Sequence, residues 1–250
     1  IPKLGHLFEP QNYLRGTANF LEMVHRGGVT TAGDMGLGIS GDPNTELAML
    51  NQVVTSSGSP MRLVLTPVIS KFIQMGLSPE EAVAQTATWR KQYAGQVSVR
   101  DHFKLMVDGA IFSALAQFGA PGYLDGHEGV CLVPEEPLYQ YARAFWKAGY
   151  LLHAHSNGDA ATQRTLDLLE RLLEEHPRWD HRFTLEHFAY NRETQSRRIK
   201  ELGAIVSANP YYHYILSDIY STEQIGPTRA EQMVMLGSLE RLGVPFTFHS

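Results

Sequence analysis

The sequence predicts an α/β protein built on parallel strands, on three observations. Short apolar runs rich in β-branched residues alternate with longer segments of helical period. Helix–Gly–strand recurs in Ala148-Gly149-Tyr150, Leu202-Gly203-Ala204 and Leu242-Gly243-Val244. That is the connection of repeated βα units, with a left-handed residue closing each helix. The run Arg62-Leu63-Val64-Leu65-Thr66-Pro67-Val68-Ile69 is nearly all apolar, as a strand covered on both faces must be.

Strands are expected at 28–32, 61–66, 102–107, 150–155, 183–187, 204–208 and 244–249, and helices at 45–57, 79–93, 135–148, 160–175, 192–202 and 229–242. The helix at 79 has a clear start: Ser78 in the capping position, Pro79 in the first turn, and Glu80 and Glu81 at the positive end of the dipole. Such a series fits either an open doubly wound sheet or a closed barrel. No G-x-G-x-x-G or G-x-x-x-x-G-K-[ST] element follows a strand, which weakens a nucleotide-binding open sheet. The longest connections, 108–134 and 209–228, leave strands at their C-terminal ends, where barrel enzymes place their active sites. The first is glycine-rich yet carries Phe112, Leu115, Phe118 and Tyr123, which predicts a packed lid. Nothing marks a boundary, so residues 1–250 are read as one domain.

Composition narrows the function. The net charge is −5 with no basic stripe, against a nucleic-acid partner. Hydrophobic residues are 43% and charged residues 19%, the balance of a soluble protein with a sizeable core. The single cysteine, Cys131, excludes an intrachain disulfide framework and makes a cytoplasmic location the expectation. No apolar run nears the ~20 residues of a membrane span. Ile1-Pro2-Lys3-Leu4-Gly5-His6 has neither an initiating Met nor the layout of a signal peptide, so a cut or processed first residue is expected.

Polar residues interrupt strands that ought to be apolar. Lys104 lies within His102-Phe103-Lys104-Leu105-Met106-Val107, His153 and His155 within Leu151-Leu152-His153-Ala154-His155, and His187 ends Phe183-Thr184-Leu185-Glu186-His187. Alternation puts His153 and His155 on one side, and Lys104 on the side of Met106 and Asp108. Burying a lysine costs several kcal/mol unless it is paired, neutralised or metal-bound. Histidines ending adjacent parallel strands are about 4.8 Å apart at the backbone, close enough to share an ion. One strand histidine is ordinarily a hydrogen-bonded core residue, and a lone strand lysine can send its ammonium to solvent. Lysine, His-x-His and histidine on consecutive strands together point to a site.

These segments resemble the amidohydrolase superfamily, in its amidohydrolase family 3 branch, which includes N-substituted formamide deformylases. The matching words are Gly28-Val29-Thr30-Thr31 with Asp34, Phe103-Lys104-Leu105-Met106-Val107-Asp108-Gly109-Ala110, His153-Ala154-His155-Ser156-Asn157-Gly158-Asp159-Ala160 and Leu185-Glu186-His187. The resemblance implies a (β/α)8 TIM barrel and a hydrolase of C–N bonds, amide or formamide in type, in a small organic substrate. It implies that His155 and His187 hold Zn2+ or another divalent metal, one or two ions, and that Lys104 is carboxylated to bridge them. A metal-bound hydroxide would attack the carbonyl. His153 and Asp159 would support the ligands without touching metal, and Asp159 reads equally as a plain helix cap. Asp108, Asn209, Tyr212 and His213 would line the substrate pocket.

The family's first-strand His-x-His, its flanking β-sandwich and its eighth-strand aspartate, the general base expected just after Ser250, have no counterpart here. The expectation is therefore an incomplete, inactive barrel prone to self-association. Two other readings stand beside it: a non-catalytic barrel that binds a small ligand, and an α/β oxidoreductase.

Overall fold

A computed structural model of the chain describes residues 9–56 and 58–249. The opening segment Ile1 to His6, the end of the expected helix at Ser57, and Ser250 lie outside the described residues. The chain forms two compact units, residues 1–102 and 103–250.

The first unit holds helix α1 (Pro10–Arg26), strand β1 (Thr31–Leu37), α2 (Pro43–Ser56), β2 (Arg62–Pro67), α3 (Ile69–Gln74), α4 (Pro79–Gln92) and β3 (Val97–Val99). Its sheet runs β1-β2-β3, all parallel. Leu47, Leu50, Val53 and Val54 of α2 are buried, as are Leu63 and Leu65 of β2 and Val97 and Val99 of β3. Trp89 stacks on Phe72 with ring centroids 5.8 Å apart and satisfies its Nε1–H on Asn44 Oδ1 at 2.8 Å. Ser78 caps α4 reciprocally with Glu81, as expected.

The second unit holds β4 (His102–Met106), α5 (Glu135–Lys147), β5 (Leu151–Ser156), α6 (Asp159–Glu175), β6 (Thr184–His187), α7 (Glu193–Glu201), β7 (Ile205–Ala208), α8 (Tyr211–Ile219), α9 (Pro227–Ala230), α10 (Leu236–Leu242) and β8 (Phe246–Phe248). Its sheet keeps chain order, β4-β5-β6-β7-β8, and the β5, β6, β7 and β8 pairs are parallel. Phe103 packs flat on Phe145, and Leu152, Leu166, Leu169, Leu185, Ile199 and Val206 fill the interior. Burying side chains of this size contributes about 1.5–3 kcal/mol each. Gly149, Gly203 and Gly243 sit at φ +85°, +70° and +66°, the left-handed helix ends their positions predict.

Several expectations are corrected. The first strand lies at Thr31–Leu37, not at 28–32. Gly28 at φ +85° belongs to the turn after α1, and pairing with β2 carries the strand through Gly33 and Asp34. Helices α1, α3 and α8 and strand β3 are additional. The helix expected at 229–242 is divided into α9 and α10, with Val234 left-handed at φ +54° between them. Among the described residues, no helix is long and apolar enough to cross a membrane.

Candidate metal centre

The second unit alone supplies the site. Strand alternation and parallel register place its parts: His155 lies opposite Glu186 on β6, and Ser156 opposite His187. On a regular strand Glu186 and His187 would point to opposite faces. His187, however, is left-handed at φ +79°, and Phe188 follows at +50°. This turn re-aims the His187 ring, so that both residues reach groups of β4 and β5. Such a backbone costs about 1–2 kcal/mol per non-glycine residue and is typical of functional sites.

Lys104, His155 and His187 converge. Lys104 is only 3% exposed, and its Nζ is 3.5 Å from His187 Nε2. The His155 and His187 ring centroids are 4.4 Å apart, edge to face. His249, held by its N–H on Ala208 O at 2.9 Å, brings a third ring 4.9 Å from His187. Burial pushes the Lys104 ammonium down to about 8 against the pull of Glu186. Burial, with the Lys104 charge second, takes His155 down to about 4 and His187 well below its ordinary value. Both rings are therefore neutral near pH 7, the form in which imidazole binds metal. His187 Nδ1 is buried without a hydrogen-bond partner among the described residues.

His153 sits behind this group, its Nδ1 2.8 Å from Glu186 Oε1, with both side chains buried. Burial pushes the Glu186 carboxyl up, but His153 and Lys104 outweigh it and hold the group below its usual range. Sequence reasoning passed over Glu186. Its signal was an acid inside an otherwise apolar strand.

Asp108 is fully buried, and its carboxylate takes three backbone N–H groups: Asn157 at 3.0 Å, Gly158 at 2.9 Å and Gln117 at 3.0 Å. Burial nevertheless pushes it up to about 6. Both oxygens accept from the backbone, so the carboxylate ties Gln117, Asn157 and Gly158 together. Asp159 opens α6, while the capping position belongs to Gly158, which corrects the cap reading. Its Oδ1 accepts from Gly119 N at 2.8 Å and its Oδ2 from Arg192 Nε at 2.6 Å. Two carboxylates thus clasp the segment 117–119 to the start of α6. Gly158 is required there, since a Cβ would lie 1.9 Å from Gln117 O.

Asn209 donates its N–H to His187 O at 3.2 Å and accepts from Tyr211 N at 3.1 Å. Tyr212 is buried against Asn209, its ring edge to face with Phe112 at a centroid separation of 5.2 Å, and burial pushes its hydroxyl up to about 12. His213 is exposed on α8. The long loop is packed as expected at Phe118 and Tyr123, which cluster with Ile111, Tyr190, Tyr212 and Tyr220, whereas Phe112 and Leu115, expected to pack with them, are exposed.

The donor set fits a divalent metal in kind but is short in number. Among the described residues no group of three His, Cys, Asp or Glu is placed to hold an ion, whereas a catalytic zinc ordinarily has three protein ligands.

The sequence model of one family, described as Amidohydrolase family, matches residues 4–250. No curated protein matches the chain. Among solved structures, an uncharacterized metal-dependent hydrolase from Pyrococcus furiosus is similar over 100% of this chain and 48% of its own, at 20% identity and a TM-score of 0.72. Atrazine chlorohydrolase TrzN from Arthrobacter aurescens TC1, complexed with zinc, is similar over 98% of this chain and 50% of its own, at 14% identity and a TM-score of 0.59. An adenosine deaminase from Xanthomonas campestris with bound zinc is similar over 99% and 47%, at 15% identity and a TM-score of 0.53. The chain thus spans about half the length of these structures, and at such identities the likeness speaks for the fold.

Proposed function

The chain belongs to the amidohydrolase family, and from that premise we propose that it carries part of the centre of a metal-dependent hydrolase that cleaves a C–N bond, amide or formamide in type, in a small organic molecule. The (β/α)8 barrel is the architecture proposed with it, supported by the parallel order of each sheet and by matches over nearly the whole chain. The observation that carries the reading is the convergence of two neutral imidazoles, from β5 and β6, on the buried lysine of β4.

In this reading His155 and His187 hold Zn2+ or a similar divalent ion. When bound, such an ion polarises a carbonyl and makes water acidic near neutral pH. Lys104 supports the oxygen side of the shell. Held near 8, it keeps an appreciable share of free amine at neutral pH. That amine adds CO2 and releases one proton to give an anionic carbamate, an oxygen donor that would complete three ligands. Glu186 and His153 fix the charge behind the lysine, and Asp159 with Arg192 holds the loop above. Asn209, Tyr212 and His213, with exposed Phe112 beside them, form the substrate wall. The protein is proposed to act on small molecules in the cytoplasm, and the exposed β8 edge with Phe248 offers a route to self-association.

Titration calorimetry with Zn2+ tests the proposal. Weak binding that is lost in both His155→Ala and His187→Ala, with His25→Ala unchanged, is the expected result. Binding indifferent to both substitutions would overturn it.

A further inference from the structure

His127 stands on the long loop 108–134, and the proposed function gives it no role. Its ring is set between two acceptors: Nδ1 is 2.6 Å from Asp125 Oδ1, and Nε2 is 2.8 Å from Ala114 O. The ring also lies nearly flat on Tyr123, with centroids 3.7 Å apart and planes 20° from parallel. Tyr123 belongs to the buried aromatic cluster beneath the loop, so this seat is fixed. A neutral imidazole carries one N–H and cannot donate to both oxygens. Whichever nitrogen loses its proton then turns a lone pair toward the acceptor it had bonded. Protonation removes that conflict, and the Tyr123 face favours the cation further.

The surroundings agree. Ala114 O first, and the Asp125 carboxylate second, raise the ring above its ordinary value. The His127 backbone N–H and ring hold the Asp125 carboxyl below its usual range. From the other side, the short turn Ile111–Ser113 brings no charged side chain, and burial pushes the Tyr123 hydroxyl above its ordinary range. Glu128, next in the chain, is exposed.

The ring fastens a strained turn. Ala114 is left-handed at φ +51°. Leu115 closes the turn, donating to Ala110 O at 3.1 Å and accepting from Gly109 N at 3.2 Å and Val130 N at 2.9 Å. The same turn carries Phe112, which packs on Tyr212. We propose that His127 is a proton-operated latch: doubly protonated, it ties residues 123–127 to the turn 110–115, and singly protonated, it gives up one anchor and loosens the loop. The latch stands on the loop's own contacts, and its effect on a substrate, through Phe112, rests on the proposed function. Its hold is complete below about pH 6.5, the ordinary histidine value, and is lost as pH rises through the raised value of the folded chain. The His127 side chain is 37% exposed, so solvent screening limits the hold to about two- to fivefold in the loop's opening equilibrium.

Long-range 1H–15N spectra of the histidine rings and amide hydrogen exchange, on the chain with chelator present, test the latch without any activity readout. The His127 ring should titrate at higher pH in the folded protein than in urea. Protection factors of the Leu115 and Val130 amides should fall about two- to fivefold between about pH 6 and about pH 8. Protection at Ile205 N, bonded to Phe183 O within the sheet, should not share that step. In His127→Gln, which has no proton to lose, the step should vanish, and in Asp125→Asn it should shrink as the ring's midpoint moves down. A ring that titrates alike folded and in urea overturns the proposal, and this comparison needs only the native protein. A step that persists in His127→Gln, or a raised midpoint with no step in the native loop, overturns it as well. Zinc binding lost in His155→Ala beside a loop indifferent to pH would leave the metal reading and remove the latch. A responsive loop in a chain that binds no zinc would do the reverse.

Discussion

Replacing Lys104 with Met should make the metal-free protein more stable. The lysine is 3% exposed, and burial pulls it from 10.5 down to about 8. At about 1.4 kcal/mol per pH unit, keeping it charged and folded near neutral pH costs about 3 kcal/mol. Met fills a similar volume without charge. Its substitution also takes a positive neighbour from Glu186, which keeps the hydrogen bond from His153, so a net gain of about 2 kcal/mol is expected. For a chain of this length that is a rise in Tm of about 4–8 °C. The sign with pH is fixed. The folded lysine binds fewer protons than the unfolded one between about pH 8 and 10.5, so the stability of the native sequence rises across that window. The advantage of Lys104→Met should be full below about pH 8 and shrink toward pH 10.5. Urea unfolding of both proteins with chelator, at neutral and at alkaline pH, measures it. A destabilised variant at neutral pH, or a gap that does not narrow, would refute a lysine held at a cost in stability for the sake of function.

Three further outcomes follow from the same structure. His187→Gly should be about 1 kcal/mol more stable than His187→Ala in urea unfolding, because φ +79° strains alanine and not glycine. Gly158→Ala should cost about 2–3 kcal/mol and open the segment 115–119 to limited proteolysis, since the added Cβ meets Gln117 O at 1.9 Å. Asp108, held near 6 in the folded chain, binds more protons there than when unfolded near 3.8, so stability should fall as pH rises from about 4 to 6. Asp108→Asn should flatten that slope, which parallel urea titrations across the window would detect.

Much of this was legible in the chain. Lys104, His153, His155 and His187 stood out as polar residues in strands that ought to be apolar, and although each alone has an ordinary explanation, their occurrence together on consecutive strands does not. Ser78 and the glycines at 149, 203 and 243 marked helix ends by local chemistry alone. The rest depended on tertiary context. Helix α8 begins Tyr-Tyr-His-Tyr-Ile-Leu and leaves Tyr211, Tyr214 and Ile215 exposed, so no polar face announces it. Helix α1 buries only Leu21 among its residues, and β1 is held by pairing despite Gly33, Asp34 and Gly36. The role of Glu186 was hidden because its partners, His153 on β5 and Lys104 on β4, are brought to it by the fold, which no pattern of residue types reveals.

The central claim is that His155 and His187 hold one metal ion together. X-ray absorption at the zinc edge of the protein loaded with one equivalent of Zn2+ tests it most directly. The account predicts nitrogen and oxygen donors at about 2.0–2.1 Å with the outer-shell scattering of two imidazoles, reduced to one in His155→Ala and in His187→Ala. A shell without imidazole, one with sulfur at about 2.3 Å from Cys131, or one unchanged in both variants would contradict it.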